Sequence, residues 1–246
     1  MDIKRKIKRL IFLLHDYYEF IKISFMNKKS KFLYIYSTEY WKVATESASV
    51  SGVGSNEAST NIFANELTSF LVSNKVESIV DAPCGDWKWM SKVNLKNISY
   101  TGCDIVPNLI ESNNKKFKKH NVNFLVKDLS EDNLPKSDLI IIRDLLVHLD
   151  DKDIAKCLRN IKKTNYKYIG ITNYPNLRKN KRRILGDYLR LGDKWRAINF
   201  TKEPYNLPEP TYNLSDKNDL TDIDKNKYMS IWKNEDFNLY NLNNKL

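Results

Sequence analysis

Two apolar segments that each end in aspartate, about one βαβ unit apart, constrain this chain more than any other feature. The first reads Val76-Glu77-Ser78-Ile79-Val80-Asp81-Ala82-Pro83-Cys84-Gly85-Asp86-Trp87 and the second Tyr100-Thr101-Gly102-Cys103-Asp104-Ile105. Short apolar runs of this kind predict strands, and the acids fall at their carboxyl ends, the edge where open α/β sheets bind ligands. A dinucleotide site sets glycines and a helix N-terminus against a pyrophosphate, and a carboxylate at the tip of the first strand would repel that anion. Asp81 therefore argues against a nicotinamide coenzyme and against a dehydrogenase. A cationic nucleoside suits both acids: S-adenosylmethionine carries an ammonium and a sulfonium but no phosphate, and its ribose can donate hydrogen bonds to a carboxylate such as Asp104.

Beyond residue 76 the pattern alternates. Strands are predicted at 76–81, 98–104, 122–126, 138–142 and 167–173, with helices at 86–93, 106–119 and 151–163. Alternation of this sort means a mostly parallel sheet with right-handed crossovers and helices on its faces. Asp81, Asp104, Asp128 and the pair Arg143-Asp144 all fall at strand ends, and their convergence outweighs any one of them. Tyr228–Trp232 reads as a returning strand. The proline-bearing stretch around 175–215 reads as an irregular segment over the ligand edge, and Asn238–Leu246 as a frayed end.

With 246 residues and 41% hydrophobic content, the chain can bury one substantial core. We divide it into an N-terminal basic helical extension, 1–45, and a single domain, 46–246. In residues 3–25 apolar side chains recur at helical spacing among lysines and arginines, which makes an amphipathic basic helix. Its apolar run Leu10–Leu14 is too short to span a bilayer, and no signal-peptide pattern is present. Asp16 and Glu19 interrupt the basic face, so packing on the domain or on a second subunit is favoured over peripheral membrane binding. The formal net charge of +11 gathers at Lys4–Arg9 and Arg178–Arg196, away from the strand-end acids. Such charge suits nucleic acid, an anionic surface or a phosphorylated small molecule alike. Cys84, Cys103 and Cys157 follow neither a disulfide framework nor a zinc spacing, which points to a reducing, cytoplasmic setting and no metal.

On these residues the chain resembles the class I S-adenosylmethionine-dependent methyltransferases. Asp81-Ala82-Pro83-Cys84-Gly85-Asp86 looks like their first motif, although Pro83 and Cys84 stand where glycine or another small residue is usual. The resemblance implies a Rossmann-like, mostly parallel seven-stranded sheet and S-adenosylmethionine as cofactor. It implies cofactor contacts from Asp81, Ala82 and Gly85, from Asp104 and Ile105 at the ribose, and from Asp128 and Leu129 at the adenine. Arg143 joins them, with Ser51 and Gly52 from the loop Ser51-Gly52-Val53-Gly54-Ser55. Together with Arg143-Asp144-Leu145-Leu146-Val147-His148 and Trp195-Arg196-Ala197-Ile198-Asn199, these motifs are similar to a bacterial subgroup tied to surface-polysaccharide and capsule biosynthesis.

Methylating a hydroxyl needs a base, because the oxygen must lose its proton as the new bond forms. His148 is our candidate, and its alternative is a capping or packing role. Asp144 is expected to orient His148, to bind an acceptor hydroxyl or to act as the base itself. Trp87, Trp195, Arg196 and Asn199 are candidates for holding a sugar or phosphorylated acceptor, since stacking plus a guanidinium suits both. Trp89 is assigned to the core. Two rival functions remain, a nucleic-acid (RNA) methyltransferase and a non-catalytic binding protein with this fold. The first is disfavoured because Arg143-Asp144-Leu145-Leu146 stands where amino-directed base methylation needs an Asn/Asp-Pro-Pro-aromatic motif.

Overall fold

The computed structural model describes residues 17–18, 21–23, 25–44, 49–55, 57–181, 195–217 and 223–239. Residues 3–16 of the expected basic helix lie outside these. Residues 17–18 and 21–23 are helical, Ile23 is buried in the main core, and Tyr17, Tyr18 and Phe25 are exposed.

Helices α1 (Lys28–Ser37), α2 (Tyr40–Ala44) and α3 (Glu57–Ser73) precede the sheet. The remaining elements are β1 (Ser78–Asp81), β2 (Ser99–Asp104), α4 (Pro107–Phe117), β3 (Val122–Val126), β4 (Leu139–Ile142), α5 (Asp151–Lys162), β5 (Tyr168–Asn173), β6 (Tyr212–Ser215) and β7 (Tyr228–Lys233). The seven strands form one sheet in the order β3-β2-β1-β4-β5-β7-β6. Strands β1 to β5 run parallel, while β7 is antiparallel to both β5 and β6. This is the mostly parallel, Rossmann-like seven-stranded sheet that the resemblance implies.

Alternation along the central strands divides the core into two layers. Val80, Ile140 and Ile142 pack with Ile154, Leu158 and Ile161 of α5, whereas Ile79, Leu139 and Ile141 pack with Phe63, Leu67 and Phe70 of α3. Helix α5 begins where Asp150 accepts a hydrogen bond from the Asp153 N–H, a side-chain cap. The chain order reverses at β1, whose neighbours are β2 and β4, and a crevice at the carboxyl ends of these strands is where such sheets hold ligands. Gly102 of β2 sits in close contact there, since a Cβ would meet Phe124 at 2.7 Å and Cys84 Cβ at 2.9 Å.

Two elements differ from the sequence reading. No α-helix forms over 86–93: Trp87 takes a left-handed φ of 59°, which a helix cannot contain, and only Met90–Lys92 make a 3-10 turn. The segment read as irregular contributes β6, an edge strand in which only Leu214 is buried, so its pattern was too weak to register.

Candidate active site

At the carboxyl ends of β1, β2 and β4 lies a cleft of about 860 Å³, counting its solvent-facing mouth. The sheet side supplies Ala82, Gly85, Asp104, Ile105, Asp128, Leu129, Arg143, Asp144 and His148 to its lining. Helices α1 and α2 supply Lys28, Phe32, Tyr36 and Trp41, and the loop before α3 supplies Ser51 and Ser55. Most residues expected at a cofactor site are thus brought together.

Gly85 adopts φ +54°, and a Cβ on it would lie 2.6 Å from Ser51 Oγ, so only glycine fits this turn. Ser51 Oγ accepts from the Asp86 N–H at 3.0 Å and shares a 3.0 Å hydrogen bond with the Tyr36 hydroxyl. Gly52 is not on the lining. Its φ of +87° turns the loop against Trp41 instead.

Asp104 lines the cleft, with Oδ2 accepting from the Gly85 N–H at 3.2 Å and Oδ1 from the Val106 N–H at 3.1 Å. Burial pushes its carboxyl up to about 6, against the lowering effect of these backbone donors. Asp81 is different from the expectation. It is fully buried and absent from the cleft lining, with Oδ2 accepting from the Tyr100 hydroxyl at 2.7 Å and Oδ1 without a hydrogen-bond partner. Burial raises its carboxyl to about 7, with Tyr100 and Arg143 opposing the rise. The extended strand points its last side chain into the sheet's packed face, so the tip of β1 is presented by Ala82–Gly85 and not by the acid.

Asp128 lies at the expected edge but is not alone. Its Oδ1 accepts from Lys28 Nζ at 2.7 Å and from the Ser130 N–H at 2.9 Å. Burial would raise this carboxyl, and the Lys28 and Ser130 hydrogen bonds hold it below the ordinary range. Lys28, a hundred residues away in sequence, was not foreseen.

The Arg143 guanidinium is committed to the fold. It donates to both oxygens of Asp216, at 2.9 and 2.8 Å, and to the Gly54 carbonyl at 2.9 Å, while lying 5.0 Å over the Trp89 ring. Lys227 Nζ bridges Asp216 at 3.2 Å and Asp144 at 2.6 Å. These two cations and two anions clamp the β6–β7 hairpin and the loop before α3 onto the end of β4. Arg143 lines the cleft as expected, and these partners also make its guanidinium an anchor of the wall. Asp144 is held anionic in turn: burial would raise its carboxyl, but the Lys227 and Arg143 charges more than offset this and lower it.

Removing Asp216 would leave the buried Arg143 without its main anion and Lys227 with Asp144 alone. We expect Asp216→Ala to lose about 3–5 kcal/mol of stability, read from chemical denaturation of the variant beside wild type.

His148 ends the 3-10 turn Leu146–His148 that follows β4. Its ring lies 5.3 Å from that of Trp41, tilted by 40°, and both residues line the cleft. His148 adds a smaller lowering effect on the Asp144 carboxyl than Lys227 or Arg143 does.

The acceptor candidates fare less well. Trp87 is 4% exposed and packs against Tyr100, Phe117 and Phe124, so it belongs to the core. Trp89, assigned to the core from sequence, is 5% exposed and packs on Phe63 in the core, and it also forms part of the cleft lining. Arg196 pairs with Asp151 and donates to the Tyr205 hydroxyl at 2.9 Å, and neither it nor Trp195 lines the cleft. Asn199 is fully buried and brackets the loop, donating to the carbonyls of Pro175 and Leu177 at 2.9 Å each. Trp195 is 37% exposed, edge-on to Tyr174, and the adjoining Arg196 N–H donates to the Val147 carbonyl at 2.9 Å, which sets this strand of chain beside the His148 turn. Arg178, Lys179 and Lys181 are exposed, and Arg182 and Arg183 lie outside the described residues.

Among the described residues no cluster of three His, Cys, Asp or Glu side chains is placed to hold a metal ion, and no helix is long and apolar enough to cross a membrane.

Comparison with known proteins gives a consistent picture. Residues 79–165 match the family model described as a methyltransferase domain. No curated protein matches the sequence. Among solved structures, the chain is similar to the N-methyltransferase NodS from Bradyrhizobium japonicum WM9 in complex with S-adenosylhomocysteine, at 13% identity and a TM-score of 0.58, covering 81% of this chain and 97% of that one. It is also similar to PigF with S-adenosylhomocysteine, at 11% identity and a TM-score of 0.51, covering 71% of this chain and 55% of that one. For human N-acetylserotonin methyltransferase the identity is 15% and the TM-score 0.45, over 58% of this chain and 44% of the longer human chain. Residues 79–165 thus carry the sequence pattern of a methyltransferase domain, and the fold is the one seen in the N-methyltransferase NodS.

Proposed function

We propose that this chain transfers a methyl group from S-adenosylmethionine to a hydroxyl of a small polar acceptor, most simply a sugar or nucleotide-linked sugar of a bacterial surface glycan. The observation that supports it most is that Asp104 and His148 line one cleft, at the reversal point of the sheet.

The residues fit a cationic nucleoside. Each Asp104 oxygen accepts one backbone N–H and keeps a lone pair for a ribose hydroxyl. The glycine turn at Gly85 and the apolar side chains of Ile105 and Leu129 form a cradle without any phosphate-binding run of N–H groups. When bound, the cofactor supplies an electrophilic methyl group on a sulfonium. The chain's part is then to orient, to exclude water and to move one proton. A nitrogen of the His148 imidazole accepts the hydroxyl proton, imidazole being the side chain that ionises nearest neutrality. The Asp144 carboxylate, held anionic by Lys227 and Arg143, favours the imidazolium that results. Phe32, Tyr36 and Trp41 cover the cleft from α1 and α2 and keep water from the reacting atoms. Trp195, exposed beside the His148 turn, offers an apolar face for a sugar ring.

The test is methyl transfer from radiolabelled S-adenosylmethionine to a panel of nucleotide-linked sugars, free sugars and RNA. Label in a sugar fraction and none in RNA is expected. Labelling of RNA alone would replace this reading with the nucleic-acid one.

A further inference from the structure

Lys28 lines the cleft, yet the proposed reaction makes no use of its charge. It opens α1, and its side chain is 15% exposed. An ammonium has three N–H donors. Two are accounted for, one to Asp128 Oδ1 at 2.7 Å and one to the Ser130 hydroxyl. Asp128 Oδ1 is crowded in turn by the Ser130 N–H and Ser130 hydroxyl, at 2.9 and 2.8 Å, whereas Oδ2 has no hydrogen-bond partner among the described residues. One open donor and one open acceptor therefore stand side by side on the cleft lining, which also carries the apolar side chains of Leu129 and Phe32.

We propose that Lys28 is a specificity-determining residue of the nucleoside subsite, its ammonium donating to a ring nitrogen of adenine while Asp128 Oδ2 accepts from the adjacent amino group. The proposal rests on the cofactor reading above. An adenine edge offers a donor, the amino group, beside an acceptor, the ring nitrogen, and the Lys28–Asp128 pair is its complement. Hypoxanthine reverses both: a carbonyl replaces the amino group and the ring nitrogen carries a hydrogen. It would face Asp128 with an acceptor and Lys28 with a donor. A partly buried site that pairs its polar groups with one edge rejects the other strongly, because its own groups are then left unpaired. The ion pair also fixes the geometry, since the ammonium cannot swing away without leaving Asp128.

The experiment is calorimetric titration of the full chain with S-adenosylhomocysteine and with its deaminated counterpart, S-inosylhomocysteine. Wild type is expected to favour the adenine form by roughly a hundredfold. Lys28→Met is expected to bring that ratio below about tenfold while its melting temperature stays near that of wild type. Should Lys28→Met fail to fold, Lys28→Leu, which likewise removes the donor, is read by the same ratio. An unchanged ratio in a folded variant, or equal binding of both ligands by wild type, would overturn the assignment of Lys28. Absence of binding by wild type to either ligand would instead overturn the cofactor reading, and this proposal with it.

Discussion

Replacing His148 with alanine is expected to slow methyl transfer by roughly a hundred- to ten-thousandfold, the range spanned by a positioned general base. Affinity for S-adenosylhomocysteine should stay within about twofold of wild type, because the base acts on the acceptor and not on the cofactor. The two readouts separate a catalytic His148 from one that merely packs on Trp41, whose loss would disturb the wall and weaken both. Asp144→Asn provides the contrast. Asp144, its carboxylate held low by the Lys227 and Arg143 charges, is assigned to support the imidazolium, so this substitution should reduce turnover less than loss of the imidazole does. Turnover by His148→Ala at the wild-type rate would remove the base assignment.

The second large effect is expected at Asp104. Its carboxylate would meet two ribose hydroxyls, and charge-assisted hydrogen bonds contribute about 1.5–3 kcal/mol each. Asp104→Ala should therefore weaken S-adenosylhomocysteine binding about a hundredfold or more, measured by calorimetry. The same residue sets a pH dependence. Burial raises its carboxyl from 3.8 to about 6, so in the unliganded chain the folded state holds this proton more tightly than the unfolded one. That contribution favours the fold at acid pH and is lost as pH climbs through about 6. Binding runs the other way, because the ionised form is the better acceptor. Affinity should fall about tenfold between pH 7 and pH 5 in wild type and change little in Asp104→Ala. Equal affinity of the two proteins at pH 7 would remove the ribose assignment.

Much of the sheet was legible because its strands are short, apolar and buried on both faces. Leu139–Ile142 is buried at every position, and a short apolar run bounded by polar segments is the pattern an interior parallel strand imposes. Strand β3 was placed residue for residue, and the edge where Asp104, Asp128 and His148 gather followed from the parallel arrangement alone. What sequence could not show is where a side chain at a strand end points. Asp81 and Asp104 look equivalent in the chain, yet one is packed beneath the turn against Tyr100 while the other reaches the cleft. Trp87 and Trp89 are both buried in the core, and only Trp89 also reaches the cleft lining. Long-range partners were equally hidden. Asp216 and Lys227 lie in weakly patterned sequence, and only the β6–β7 hairpin brings them to Arg143 and Asp144. Lys28 sits in the N-terminal extension and meets Asp128 only once α1 folds across the sheet. Arg196 and Asn199 carried the residue types of a pocket, but their hydrogen bonds close a loop on itself.

The central claim is that a cationic sulfur nucleoside occupies the cleft between Asp104 and the aromatic cover of α1 and α2. A calorimetric titration of the full chain with S-adenosylhomocysteine at neutral pH tests it most directly. Saturable uptake of one molecule per chain, lost on substitution of Asp104, is the predicted result. A flat titration at protein concentrations well above the micromolar range would contradict it.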